Sequence, residues 1–223
     1  MNKTEKVKLF NKLEGRNSSQ PPDRIESVIV DAMFFLHTQV DLPVTYGKVA
    51  DTLLEKLMYL APRVDFVCDV YVTPSIKGVE RDRRGSDDTQ FTITGPDQTR
   101  PRDWQKSLRS PSFKTALFRF ISTEWSRDKN ATVLQKFCLF FAFEEKCNKM
   151  SGIGGKVIVE PVSELGCSHE EADTRIVWHL KSISMTSVEN VVVRTNDTDV
   201  FILLLYHVHK LDLQIGAWMD VGL

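Results

Sequence analysis

The stretch "VVVRTNDTDVFILLLYH", residues 191–207, runs from three valines through two aspartates one residue apart into a long apolar segment. The valines have the length and β-branching of a buried strand, and residues 198–210 have the spacing of a helix. Asp197 and Asp199 therefore fall at a strand-to-helix junction. Asp197 stands where a helix N-cap belongs, and Asp199 complements the positive end of the helix dipole. The same two side chains also suit half of a metal site.

Working outward, "ESVIVDAM" (26–33), "VDFVCDVYV" (64–72), "KVIVE" (156–160) and residues 211–219 read as further strands. Helical patterns lie between them at 45–60, 112–127, 129–149 and 169–184. In the first, Val49, Leu53, Leu54, Leu57 and Leu60 share one face. Strands alternating with helices predict an α/β fold in three layers. A central, mostly parallel sheet carries helices on both faces. Residues 77–111 are charged, rich in Gly and Pro and poor in aliphatics, which predicts an exposed insertion after the second strand with a small hairpin at "FTIT". Residues 1–24 read as a flexible basic leader, and 25–223 as a single domain. The final "LDLQIGAWMDVGL" reads as a strand that stops, as in a chain truncated at its C-terminus.

The 223 residues carry a net charge of −1, with 42% hydrophobic and 26% charged side chains. That balance provides no global attraction for nucleic acid, so only a local basic patch would serve. No apolar run is long enough to span a bilayer, and the leader lacks the apolar core of a signal peptide. An intracellular location, nuclear or cytoplasmic, is the expectation. The four cysteines contain no C-x-x-C pair and read as buried thiols. "MSGIGG" (150–155) reads as a turn and lacks the spacing of a phosphate loop. His207 and His209 lie off one another's helix face and read as surface residues. Trp178 and the Phe-rich segment 137–143 read as core.

In parallel sheets, sites gather at the carboxyl ends of the strands. Asp31 closes "VIVD", Asp69 closes "VDFVCD", and Asp197 and Asp199 follow "VVVRTN"; Glu170, Glu171 and Asp173 open the helix between. Helix starts explain each acid separately: Asp31 caps "AMFFLHTQ", and Ser168 with Glu171 forms a capping box. On a regular helix Glu170 and Asp173 share a face, while Glu171 and Asp173 point about 200° apart. Capping does not, however, require all of these acids at one sheet edge. Carboxylates brought together repel, and hard divalent cations such as Mg²⁺ or Mn²⁺ neutralise them.

The order "VIVDAMFFLHT", "FVCDVYVTPSIKGVERDRR", "SHEEADTRIVWH" and "VVVRTNDTDVFIL" resembles the flap-endonuclease branch of the PIN-domain nucleases. The likeness covers residues 26–210 in short islands. Its implications are a PIN-like fold, a site of two Mg²⁺ or Mn²⁺ ions, and Asp31, Asp69, Glu171, Asp173, Asp197 and Asp199 as their ligands. It also implies that Lys77, Arg81, Arg83 and Arg84 contact nucleic acid, with Lys77 or Arg81 neutralising charge at the scissile phosphate. The turn reads "CDVY" where the family has an "FDG"-like sequence, and Asp173 stands where a second Glu is usual. "EEADTR" and "NDTDVFILLL" are also similar to segments of uncharacterised animal proteins associated with mobile elements.

The expected function is divalent-metal-dependent hydrolysis of phosphodiester bonds in single-stranded or structured DNA or RNA. The alternative is a catalytically inactive PIN-like module that binds nucleic acid or protein. A phosphatase of the haloacid-dehalogenase type ranks below both, because its nucleophile follows an N-terminal strand and "DTDVF" comes late.

Overall fold

The valine-rich runs pair with one another in the interior, as their lack of polar alternation requires. The computed structural model describes residues 20, 22–70, 90–168, 172–210 and 215–222. Among them, seven strands form one sheet in the order β5-β4-β3-β2-β1-β6-β7. They are β1 (Ser27–Asp31), β2 (Arg63–Val67), β3 (Cys138–Phe143), β4 (Lys146–Ile153), β5 (Lys156–Pro161), β6 (Asn190–Arg194) and β7 (Gly216–Asp220). The five from β3 to β7 through the centre run parallel, and the β3–β4 and β4–β5 pairs are antiparallel.

Helices cover both faces. Val28, Val30, Phe66, Leu139 and Phe141 face α1 (Ala32–His37), α2 (Tyr46–Met58), the short α3 (Trp104–Ser107) and α4 (Pro111–Trp125). Phe66 is the centre of that layer: Phe35, Phe118, Trp125 and Phe141 surround its ring at centroid distances of 5.8, 6.4, 5.6 and 5.8 Å. Ile29, Val67, Ala142, Val191 and Val193 face the other way, against α6 (Ala172–Ser184) and α7 (Thr198–Lys210). A four-residue α5 (Ala131–Leu134) precedes β3. The three-layer α/β expectation thus holds, and α7 has the bounds read from the sequence.

Several local expectations do not hold. The helix expected over 129–149 is instead α5 followed by the β3–β4 hairpin, which turns at Glu144 with φ 52°. Phe137, Phe140, Phe141 and Phe143 fit a helical spacing as well as a strand, and pairing of β3 with the distant β2 decides between them. "MSGI" belongs to β4, leaving Gly154 and Gly155, at φ 59° and 79°, as the turn. "KVIVE" is a strand as expected, and it is the exposed antiparallel edge of the sheet.

Of the insertion expected at 77–111, residues 77–89 lie outside the described residues. The rest is exposed only in part: Gln90, Thr92, Thr94, Asp97 and Thr99 are exposed, while Trp104 and Leu108 are buried and Phe91 packs on Phe113 with centroids 4.9 Å apart. "FTIT" forms no strand; a single bridge joins Thr45 and Thr99. Trp178 is 45% exposed, its indole N–H donating to the Glu164 carbonyl, so it is not core. Cys68 and Cys147 are buried, and all four cysteines are free thiols. Among the described residues, no helix is long and apolar enough to cross a membrane.

Candidate active site

β1 ends in an aspartate because a short helix begins immediately after it. Asp31 Oδ1 accepts from the backbone N–H of Met33 at 2.9 Å and of Phe34 at 3.1 Å, which caps α1. Its other oxygen, Oδ2, accepts from the Thr195 hydroxyl at 2.9 Å. Thr195 is fully buried just beyond β6, and its Oγ1 in turn accepts from Asp197 N–H at 3.2 Å. Asp197 caps the next helix, taking Asp199 N–H on Oδ1 at 2.7 Å. Capping and clustering are therefore one arrangement.

Asp69, two residues past β2, accepts from Ala172 N–H at 3.0 Å and so ties the strand exit to the first residue of α6. Asp69 thus caps α6 at Ala172 from 103 positions earlier, while Glu171 of the expected capping box lies outside the described residues.

These connections bring Asp31, Asp69, Asp173 and Asp197 to one cleft of about 310 Å³ at the carboxyl edge of the sheet, together with His37 and Asn196. Met33 and Phe34 are its apolar lining. Asp31 retains partial exposure as a residue, but its carboxyl group is largely withdrawn from water. Burial pushes its pKa from 3.8 up to about 6. The N–H of Phe34 and the Thr195 hydroxyl oppose that rise, and the charge of Asp69 adds to it. Met33, Phe34 and Thr195 are all neutral donors.

Asp199, half-buried in the first turn of α7, does not line the cleft. Glu171, Lys77, Arg81, Arg83 and Arg84 lie outside the described residues. Among the described residues, no three His, Cys, Asp or Glu side chains are grouped closely enough to hold a metal ion. The cleft's donors are nonetheless carboxylate oxygens, which suit a hard divalent cation and not a soft one. Asp220 reaches the same sheet edge at the end of β7, where Arg194 Nε lies 2.8 Å from its Oδ2. His207 and His209 sit in the last turn of α7, away from the cleft.

Sequence reasoning missed Thr195 and His37. The signal for Thr195 was its place two residues before Asp197, where a hydroxyl reaches the following backbone N–H. His37 falls at the end of the helix that Asp31 caps, a position that carried no signal by itself. No protein-family model, curated protein or solved structure matches this chain.

Proposed function

We propose that this protein is a divalent-metal-dependent nuclease that hydrolyses phosphodiester bonds in single-stranded or structured nucleic acid. The observation that carries the reading is the convergence of Asp31, Asp69, Asp173 and Asp197 on one cleft, with Asp31 desolvated and held, among the described residues, by neutral donors alone. Burying a carboxylate without a countercharge is costly, and a bound cation offsets that cost. The resemblance to the flap-endonuclease branch points to the same chemistry.

Asp31, Asp69, Asp173 and Asp197, no three of which are close enough to ligate one ion together, would hold one or two Mg²⁺ or Mn²⁺ ions partly through water, with Glu171 and Asp199 as further candidates. Such ions supply charge neutralisation at phosphorus and a water of lowered pKa. The chain's own contribution is orientation. Thr195 and the first turn of α1 fix both oxygens of Asp31, and Asp69 fixes the start of α6. The basic segment Lys77, Arg81, Arg83 and Arg84 would supply phosphate contacts.

Titration calorimetry with Mn²⁺, wild type against Asp31→Asn, tests the site, and cleavage of single-stranded and branched oligonucleotides tests the activity. Saturable binding that Asp31→Asn weakens at least about tenfold, a difference of 1.4 kcal/mol, is the expected result. Failure of the folded wild type to bind Mn²⁺, with nucleic-acid affinity persisting in chelator, would identify an inactive PIN-like binding module instead.

A further inference from the structure

His37 ends α1 at the lip of the cleft, six residues after Asp31. At 1.5 Å per helical residue its backbone lies about 9 Å from that of Asp31, so the carboxylates and the imidazole stand at separate points of one cavity. Its ring is not free to turn. Nδ1 meets Gln105 Oε1 at 2.6 Å, and Gln105 Nε2 donates to the carbonyl of His37 at 2.9 Å. The second bond fixes which way the amide faces, so the atom opposite Nδ1 is a carbonyl oxygen and Nδ1 carries the proton. Gln105 engages Nδ1, so Nε2 is the ring nitrogen that His37, a lining residue of the cleft, has left for a bound group.

Gln105 is itself on a rigid support. The neighbouring Trp104 is buried and donates from its indole to the Leu36 carbonyl at 3.2 Å, pinning α3 to α1. Asp103 caps α3 through Lys106 N–H at 2.9 Å. A histidine that only complements the negative end of a helix dipole needs no such clamp from a residue 68 positions away.

Resting on the nuclease reading above, we propose that His37 is the catalytic proton donor to the leaving oxygen of the phosphodiester. A water oxygen forms the new bond to phosphorus and releases one proton to solvent. The bond from phosphorus to the leaving oxygen breaks, and its electron pair stays on that oxygen. The oxygen takes the Nε2 proton of the imidazolium, Nδ1–H remains on Gln105, and His37 regains its proton from solvent. The net change is one water consumed, one phosphomonoester and one alcohol formed.

The test compares the full chain in Mn²⁺ with His37→Gln and Gln105→Leu on two substrates. One is an oligonucleotide with its native alcohol leaving group, and the other is a 4-nitrophenyl nucleotide phosphodiester, whose leaving group needs no proton. General acid catalysis predicts that His37→Gln slows the native substrate about 100-fold or more and the nitrophenyl ester less than about threefold. Gln105→Leu should follow the same pattern with a smaller loss. Equal slowing of both substrates would overturn the proposal and make His37 a binding or base-stacking residue. No slowing of either overturns it as well. A wild type that cleaves neither substrate would overturn the nuclease reading and this proposal with it. His37 is exposed, so near-UV circular dichroism of His37→Gln should match wild type.

Discussion

Asp65 and Asp31 lie on adjacent parallel strands: Asp65 is opposite Ile29, two residues before Asp31. Both carboxyl groups are withdrawn from water, yet their pKa values move in opposite directions. Burial alone would raise Asp65. The bonds from His179, whose Nδ1 lies 2.7 Å from Oδ2, and from Arg63, whose Nε donates to Oδ1 at 2.7 Å, outweigh burial and bring it below 3.8. Asp31 has only neutral donors among the described residues and rises to about 6. The fold neutralises one acid internally and leaves the other desolvated at a cleft, and that difference is what the proposed cation site rests on.

That contrast breaks most visibly at Asp65. Asp65→Ala strands His179 and the side chain of Arg63, and should cost about 3–5 kcal/mol in urea denaturation, as loss of one partner of a buried pair does. Mn²⁺ affinity of the protein that remains folded should not change. Equal damage to metal binding would mean that the two acids are not separate in role.

Asp31→Asn should have the opposite sign. The cap of α1 survives, since Asn caps as well as Asp, and the desolvation cost disappears. A rise in pKa from 3.8 to about 6 corresponds to about 3 kcal/mol, so the metal-free variant should be more stable than wild type at pH 7 by up to that amount. The folded state of wild type holds the Asp31 proton more tightly than the unfolded state does. Its stability therefore falls as pH climbs from 3.8 to 6, and the gap to the variant should close below 3.8. Asp65 has the reverse slope: its stabilisation is complete above 3.8 and is lost as pH falls through its lowered value. Denaturation of both variants between pH 3 and 8 checks both slopes. Saturating Mn²⁺ should then narrow the gap between wild type and Asp31→Asn, since it stabilises wild type by about 2.7 kcal/mol at a hundred times Kd and the variant less.

Thr195→Val sharpens the comparison at smaller scale. It removes the hydroxyl that donates to Asp31 and accepts from Asp197 N–H, at a cost of about 1–2 kcal/mol. It should move the Asp31 pKa higher still, read by carboxyl-carbon titration in nuclear magnetic resonance. Asp199→Asn should have the smallest effect, about 0.3–1 kcal/mol of helix-dipole stabilisation, with less loss of Mn²⁺ affinity than Asp197→Asn.

Much of the site was legible because it depends on local grammar. Asp31, Asp69 and Asp197 each follow an apolar run and precede or meet a helix start, and the carboxyl edge of a parallel sheet gathers such positions. Asp199 was grouped with them because it is adjacent in sequence, but the first turn of α7 keeps it off the cleft. Thr195 and His37 went unseen because their partners are 164 and 68 residues away. The Phe-rich segment was misread because its spacing satisfies two periods at once.

The sequence by itself determined the alternation of buried strands and helices, and hence the α/β layers and the edge at which the acids collect. Hydrophobic periodicity and strand-end aspartates are properties of consecutive residues. Only the tertiary structure decided that residues 138–143 pair as a strand, that the segment around Trp104 closes over the core, and that Asp65 is neutralised while Asp31 is not. Those outcomes depend on desolvation and on charges supplied by distant segments, and both exist only after the chain has folded.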